Sequence, residues 1–236
     1  MMHSRDELRS RSAESKPKWQ TLESGQRACW PIDPDGGGTW VGVREDGLLL
    51  GLLNLNLSDD ELDPEMPTPT RTRGLVIPAL MNTESLDDAI ETLDEMDLIG
   101  MSPFRLVMCA PDESGSLRYA VARFDGMQLT MPTMLGAGKT PDCWASSGLG
   151  DDLVQCRIPI FEQMVVQDPS VDSQSAYHQF QWDDQPEYSV MMSRENARTS
   201  SVTTIEVVHG REPTVLYDPI EVGDAICDPV GAGMLR

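Results

Sequence analysis

The sequence predicts an α+β protein in which two antiparallel sheets pack face to face between layers of helices, a four-layer αββα sandwich. Three observations favour this fold class: strand-like segments outnumber helical ones, the helical segments come in pairs between groups of strands, and turn-forming residues join the strands. With 236 residues the chain can bury such a core as a single domain. We expect residues 1–20 and 224–236 to lie at its periphery.

The clearest element is a hairpin that follows a glycine-rich loop. Residues 36–38 are all glycine, so this loop can adopt positive φ and pass close to another backbone. Residues 39–44 resemble a strand, and Asp46-Gly47 suits a tight hairpin turn. The apolar run 48–53 is typical of a strand buried on both faces, and Asn54 ends it with a polar amide. An ordinary hairpin with an asparagine in the following loop is the alternative.

Helical periodicity and capping residues predict four helices. Ser85 is a suitable N-cap for a helix with apolar residues on one face and acidic residues on the other. Pro159 should break or kink the third helix. The predicted helices cover residues 74–81, 85–98, 151–166 and 171–182.

The remaining strands follow from runs of apolar and β-branched residues between turn signals. They are predicted at residues 104–110, 117–124, 127–131, 143–147, 188–192, 202–208 and 214–218. Residues 1–4 are too short for an element, residues 5–19 are largely polar, and the tail from Asp224 is predicted to be a loop.

The charge balance limits the possible partners. The chain has 39 acidic and 18 basic residues, for a net charge of −21. Such a surface repels nucleic acid and anionic membranes, so neither is expected as a partner. No segment has the length and hydropathy of a membrane-spanning helix, and the polar N-terminal segment does not resemble a signal peptide.

Cysteine and histidine usage gives no indication of a metal site or cofactor. The five cysteines are widely and irregularly spaced, and no pair has the spacing of a zinc ligand set. We therefore expect reduced cysteines in the core of a cytoplasmic protein, with no metal and no cofactor. The three histidines do not suggest a Ser-His-Asp set, and His178 is expected to be structural.

Four short motifs, spread over most of the chain, resemble one known family. They are Arg5-Asp6-Glu7, Gly37-Gly38-Thr39-Trp40, Leu52-Leu53-Asn54 and Arg198-Thr199. In this order they resemble the NRDE family, also known as the transport and Golgi organisation protein family. The motif that names the family is Asn-Arg-Asp-Glu, and Ser4 stands here in place of its asparagine.

The resemblance implies an N-terminal nucleophile hydrolase fold and an activity on linear amides. In that superfamily a terminal Cys, Ser or Thr attacks the amide, and its own α-amine accepts the proton. Family members usually begin with Met-Cys and a strand that leads to the Arg-Asp pair. This chain has neither that cysteine nor, we expect, the first strand. We therefore expect a misplaced gene start, with an in-frame Met-Cys about fifteen residues upstream.

The resemblance also implies the site residues. Arg5 and Asp6 correspond to the pair that contacts the nucleophile, Asn54 to an oxyanion-hole donor and Arg198 to a late arginine of the site. Trp40, Ser146 and Ser147 fall in regions that bind substrate. The alternative for Arg5 and Asp6 is a buried ion pair without a catalytic role.

Three functional hypotheses follow. The first is an amide hydrolase of the N-terminal nucleophile type. The second is a catalytically silent module that keeps the fold and binds a small or lipid-like ligand. The third is a trafficking factor of the Golgi-organisation type. A small-molecule or amide ligand is expected in the first two, and the sequence leaves the oligomeric state open.

Overall fold

The structure is a computed structural model that describes residues 1–58, 60–131, 135–136 and 140–220. In these residues the fold is α+β, with two antiparallel sheets and few helices. The tail predicted to be a loop from Asp224, and Cys227 within it, lie outside the described residues.

The larger sheet has eight antiparallel strands in the order β2-β3-β4-β5-β6-β7-β8, and β9 also pairs with β7. Consecutive strands are neighbours, so the chain forms a meander in which short turns join most strands. The strands are β2 (Ser15–Thr21), β3 (Arg27–Ile32), β4 (Val41–Arg44), β5 (Leu49–Asn54), β6 (Phe104–Pro111), β7 (Leu117–Phe124), β8 (Leu129–Thr130) and β9 (Leu135–Gly136).

The smaller sheet joins the beginning of the chain to its later part. Its order is β1 (Met2–Leu8), β10 (Ala197–Glu206) and β11 (Thr214–Pro219). The pairing of β1 with β10 shifts between Arg5 and Asp6, because Arg5 lies opposite Ser201 and Asp6 opposite Thr199. Ser200 is the extra residue, so the bulge lies in β10, opposite the Arg-Asp motif of β1.

The helices are α1 (Val76–Leu80), α2 (Leu86–Glu95), α3 (Arg157–Phe161) and α4 (Val171–His178). The predicted N-cap of α2 is confirmed, since Ser85 Oγ accepts the backbone N–H of Asp88 at 3.1 Å. The third helical region is interrupted, but not at Pro159, where a break or kink was predicted. Single 3₁₀ and π turns flank α3, which contains Pro159 in its first turn.

The core has three parts that correspond to layers of the fold. Helices α1 and α2 pack on one face of the eight-stranded sheet, with Ile77, Leu80 and Leu93 fully buried against it. The opposite face of that sheet packs against Ile205 of β10 in the smaller sheet. A third cluster, around Phe161, joins α3 to α4. Helix α4 in turn contacts β1. These contacts are consistent with the predicted sandwich.

The predicted hairpin is confirmed. Gly47 has φ of 96°, as the turn requires, and Arg44 N donates to Leu48 O at 2.8 Å. The glycine-rich loop also behaves as predicted. Gly37 has φ of 68°, and a Cβ on Gly38 would lie only 2.4 Å from the backbone carbon of Gly74. Only glycine therefore allows these two backbone segments to approach each other.

Several predictions for the first part of the chain are wrong. Residues 2–8 form strand β1, so the first strand, expected to be missing, is present. The segment 1–20 is not peripheral, because β1 pairs with β10 and Arg5 is buried. Strands β2 and β3 were not predicted, since the charged residues of β2 conceal its alternation.

Two short strands predicted later in the chain are also wrong. Residues 143–147 and 188–192 have irregular backbone with no ladder of strand pairing. Their apolar residues are needed for packing rather than for a sheet: Val190 belongs to the cluster around Phe161, and Met192 is buried. Among the described residues, no helix is long and apolar enough to cross a membrane.

Candidate functional site

A cavity of about 860 Å³ lies at β1. Its walls come from β1, the end of β5, the irregular segment 140–148, and helices α3 and α4. Six of the predicted site residues line it, namely Arg5, Asp6, Trp40, Asn54, Ser146 and Ser147. The volume is within the range of small-molecule sites.

Strand β1 presents two different sets of side chains, because successive side chains of a strand point to opposite faces. His3 and Arg5 contact the eight-stranded sheet, where His3 Nε2 lies 3.0 Å from Leu52 O. Ser4 and Asp6 contact the helical layer. Both sets belong to the lining of the cavity.

Arg5 is held by carboxylates other than that of Asp6. Its guanidinium pairs with Glu7 at 2.9 Å and with Glu14 at 3.2 Å, and its Cζ lies 4.6 Å from the ring centroid of Trp40. The alternative of an Arg5–Asp6 ion pair is therefore wrong. Asp6 follows Arg5 directly along β1, so its side chain points to the other face of the strand.

Asp6 is a half-buried carboxylate whose nearest cation lies at the limit of ion-pair distance. Thr199 Oγ1 donates to Asp6 Oδ1 at 2.6 Å, and Arg157 Nη1 lies 4.0 Å from Asp6 Oδ2. Burial raises the pKa of Asp6, although the Thr199 bond and the charge of Arg157 act in the opposite direction. Desolvation is the larger effect, so this carboxylate is held in an environment that favours its protonated form.

Arg157 is buried, and only part of its guanidinium is used within the protein. Its Nε donates to Tyr188 O at 2.9 Å and its Nη1 to Ser146 O at 3.4 Å. Its Nη2 has no hydrogen-bond partner among the described residues, and the same is true of the buried Trp40 Nε1. Buried donors without partners are costly, so a polar ligand atom in the cavity would stabilise them.

A network of polar residues fixes the end of β5 to the segment that follows residue 145. Ser146 Oγ donates to Asn54 O at 2.6 Å. Ser147 N donates to Asp151 Oδ1 at 3.0 Å, and the Asn56 amide donates to the same atom at 2.9 Å. The structure therefore brings Asn54 and Ser146 together. The Asn54 side chain stays exposed at the cavity.

The side chains of His3 and His178 lie on opposite faces of β1. Ser4 Oγ is 2.7 Å from His178 Nδ1, at the last residue of α4. Burial, followed by the nearby His3, lowers the pKa of His178 to about 4. Burial also lowers the pKa of His3. Both nitrogens of His3 face carbonyl oxygens, and a neutral ring donates to only one of them.

Arg198 does not join the other predicted site residues. It lies opposite Glu7 in the pairing of β1 with β10, and its Nη1 donates to Ile220 O at 2.8 Å. It is outside the described lining of the cavity. Thr199, the other residue of the Arg-Thr pair, contacts Asp6 instead.

The charge of the cavity lining is opposite to that of the whole chain. Among the described residues that line it, six are basic and four are acidic, although the whole chain has 39 acidic and 18 basic residues. The six are Arg5, Arg11, Arg71, Arg73, Arg157 and Arg194. In the described part of the chain, no group of three or more His, Cys, Asp or Glu side chains is arranged to hold a metal ion.

The sequence-based prediction gave no functional role to Ser4, Arg157 or His178. For Arg157 a signal existed, because a single arginine in the apolar run Arg157–Phe161 suggests a buried charge with a specific partner. No comparable signal existed for the pair Ser4 and His178. Their contact joins positions 174 residues apart, and only tertiary packing creates it.

Comparison with known families identifies the family of this chain. The model of the family described as Transport and Golgi organisation 2 matches residues 1–147. No curated protein matches the chain. The matched region contains β1, the glycine-rich loop, the hairpin and the Ser146-Ser147 segment, whereas Arg157 and His178 lie beyond it. This is the NRDE family, so the resemblance found in the motifs is confirmed.

Proposed function

Because the chain belongs to the Transport and Golgi organisation 2 family, we propose that its cavity is the site of an amide hydrolase resembling the N-terminal nucleophile hydrolases. Its substrate is a linear amide with an apolar body and an anionic group at one end. The reaction is the hydrolysis of the C–N bond, and the free thiols favour a reducing compartment such as the cytoplasm.

The unpartnered Arg157 Nη2 is the observation that carries this proposal. Within the described residues this atom is buried without a hydrogen-bond partner, in a guanidinium that its other bonds hold in place. An arginine fixed in this way is preorganised for a carboxylate, since its planar fork matches carboxylate geometry. Trp40 Nε1 offers a second donor on the cavity wall.

The charge of the cavity supports an anionic substrate. Arginines are concentrated around the cavity, while acidic residues dominate the rest of the chain. A negatively charged ligand is therefore repelled by most of the surface and attracted to this one concave region. Long-range attraction of this kind speeds association, and the buried guanidinium supplies the short-range contact.

The rest of the lining supports an apolar body next to the anionic group. Leu52, Phe161, Tyr177 and Met192 contribute apolar surface to the cavity. Its volume of about 860 Å³ would accept a medium-length acyl chain together with a small headgroup. N-acyl amino acids combine these properties in a linear amide.

The arrangement of Asp6, Arg5 and Asn54 supports amide chemistry. In the proposal Asp6 and Arg5 orient the reacting groups, and the exposed Asn54 amide donates to the developing oxyanion. All three line the same cavity, and two antiparallel sheets with helices packed outside them are consistent with the proposed superfamily. Ser146 holds the end of β5 through its bond to Asn54 O, which keeps the amide at the cavity.

The proposal is tested with N-dodecanoylglycine and its uncharged counterpart N-dodecanoylglycinamide, with release of dodecanoic acid followed by mass spectrometry. We expect cleavage of the charged substrate with a kcat/KM at least about tenfold higher, because a charge-assisted bond is lost with the amide headgroup. Arg157→Gln should remove this preference. Arg211→Gln, a change on an exposed residue, should keep it. If neither compound is cleaved, the proposal is contradicted.

A catalytically silent binding module is the second candidate, and the same unpartnered donors favour it. Buried Arg157 Nη2 and Trp40 Nε1 would hold an anionic ligand whether or not it is cleaved. Recovery of intact N-dodecanoylglycine bound to the protein, with a raised melting temperature and no product, would select this function.

A further inference from the structure

Ser4 and His178 form a hydrogen-bonded pair in the wall of the cavity. Ser4 lies on β1, His178 is the last residue of α4, and Oγ and Nδ1 are 2.7 Å apart. Both residues line the cavity. In the tautomer protonated at Nε2, the imidazole accepts the proton of the Ser4 hydroxyl. This is the geometry of a nucleophile and its base.

We propose that Ser4 is the nucleophile and His178 the general base for acyl transfer from an amide or ester carbonyl in this cavity. This inference rests on the proposed hydrolytic function and names the groups that would perform it. Ser4 occupies the asparagine position of the family motif, to which the resemblance assigned no role in the reaction, and His178 lies outside the four motifs.

The surroundings hold both side chains in place. The backbone of Ser4 pairs with Val202 in β10, and the neighbouring His3 ties β1 to Leu52 O of the other sheet. On the other side, Tyr177 packs edge-on against Phe161 with ring centroids 5.3 Å apart. The last turn of α4 is therefore anchored in the helical layer, and a fixed base beside a fixed nucleophile lowers the entropic cost of reaction.

The protonation state of each group at neutral pH suits these roles. Burial lowers the pKa of His178 to about 4, so its imidazole is uncharged and Nδ1 is free to accept a proton. Cys143, a competing nucleophile in the same cavity, is bonded through Sγ to Tyr177 Oη at 3.3 Å. Burial raises the pKa of this thiol, and a protonated thiol is a poor nucleophile.

The reaction balances with water as the only co-reactant. Ser4 Oγ forms a bond to the carbonyl carbon while its proton moves to His178 Nδ1, and the C=O electron pair moves onto oxygen. The C–N bond then breaks, and the leaving nitrogen takes the proton from His178. Water next donates a proton to His178 as its oxygen bonds to the acyl carbon. The ester C–O bond breaks, and Ser4 Oγ recovers its proton.

The low basicity of His178 sets an expectation for the rate. A base with a pKa far below the working pH carries little driving force for proton transfer. We therefore expect rapid reaction with activated electrophiles but slow turnover of amides. If the Ser4–His178 hydrogen bond only held β1 to α4, neither reaction would occur.

The test combines covalent labelling with turnover in the full chain. Wild-type protein is treated with a fluorophosphonate, and its intact mass and labelled peptide are determined. We expect one label, at Ser4, and its loss in both Ser4→Ala and His178→Gln. Ser175→Ala on the same helix and His209→Gln in an exposed turn are the controls, and both should label like wild type.

Cleavage of N-dodecanoylglycine separates failure of this inference from failure of the proposed function. A Ser4→Ala variant that cleaves it at the wild-type rate overturns the role of Ser4 but leaves the hydrolase proposal in place. Labelling of Ser4 without any amide cleavage supports the nucleophile and contradicts the amide hydrolase. Labelling at another residue overturns the inference.

A third variant tests whether labelling is lost because the protein misfolds rather than because the nucleophile is absent. Ser4→Cys keeps the position of the nucleophile, and we expect iodoacetamide to alkylate this thiol at least about tenfold faster than in Ser4→Cys with His178→Gln. Equal rates in the two proteins would show that His178 does not activate position 4 and would overturn the proposal.

Discussion

Asp6 and Arg157 face each other across the cavity wall at 4.0 Å between Oδ2 and Nη1, too far for a direct hydrogen bond. Each is held by other groups, Asp6 by Thr199 and Arg157 by two backbone carbonyls. A buried guanidinium and a half-buried carboxylate are thus kept apart. This spacing is costly for folding and leaves both groups able to interact with a ligand.

Asp6→Asn should stabilise the protein at neutral pH. Burial raises the pKa of Asp6, so folding favours the protonated form, and stability falls as pH rises from the unfolded pKa through the folded one. Each pKa unit corresponds to about 1.4 kcal/mol. An asparagine has no charge to desolvate and still accepts the Thr199 bond. In urea denaturation, the free energy of unfolding of Asp6→Asn should exceed that of the wild type at pH 7 but not at pH 4.

Asp6→Ala is the matched control for that prediction, because it removes both the charge and the acceptor for Thr199. It should be less stable than Asp6→Asn by about 1 kcal/mol at pH 7. A lower stability of Asp6→Asn than of wild type at pH 7 would show that the attraction to Arg157 outweighs the cost of burial.

Arg157→Lys should destabilise the fold although it keeps the positive charge. A lysine cannot donate to both Tyr188 O and Ser146 O in the geometry of the guanidinium, so a buried carbonyl loses its partner. We expect a loss of about 2 kcal/mol in the free energy of unfolding. Arg211→Lys, on an exposed turn, should change it by less than about 0.5 kcal/mol.

Gly38→Ala should be strongly destabilising because of the close approach to Gly74. The new Cβ would lie 2.4 Å from the Gly74 carbonyl carbon, which is backbone and has little room to move. A loss of about 3 kcal/mol, or roughly 10 °C in Tm, is expected in a thermal melt. Gly148→Ala is the matched control, since a Cβ added at Gly148 would meet no described atom within 4 Å. Similar melting of both variants would contradict this account.

The cysteines should differ in reactivity according to their burial. Burial raises the pKa of both Cys29 and Cys109 to about 11, whereas Cys156 is exposed. Peptide mapping after iodoacetamide treatment at pH 8 should therefore show Cys156 alkylated on the order of 100-fold faster than the buried pair. Labelling in urea should remove this difference. The expectation that all cysteines lie in the core is wrong for Cys156.

The predictability of the fold varied with the strength of the local signal. Strand β7 was predicted with its observed bounds, Leu117–Phe124, because a turn-forming segment and a charged residue mark its ends. The N-cap at Ser85 was equally clear. Strands β1 and β2 were missed because their polar side chains find partners elsewhere in the fold, as Arg5 does with Glu14. Such partners are invisible to periodicity.

In the candidate site, too, some features could be predicted from the sequence and others could not. Motif resemblance brought Arg5, Asp6 and Asn54 to attention, and the structure groups them around one cavity. Their actual partners were not predictable, because these lie on segments distant in the chain, as Thr199 does for Asp6 and Ser146 for Asn54. Arg198 was predicted to belong to the site, but the next residue along β10, Thr199, makes the contact with Asp6 instead.

The sequence by itself determined the family, the α+β class, the hairpin and the need for glycine at positions 37 and 38, because each depends on residues close together in the chain. Only the tertiary structure decided which charges lie without partners and which side chains meet. The contact between Ser4 and His178 and the unpartnered Nη2 of Arg157 in the described structure arise from the packing of β1 against α3 and α4. Long-range packing sets these distances, and local pattern carries no information about them.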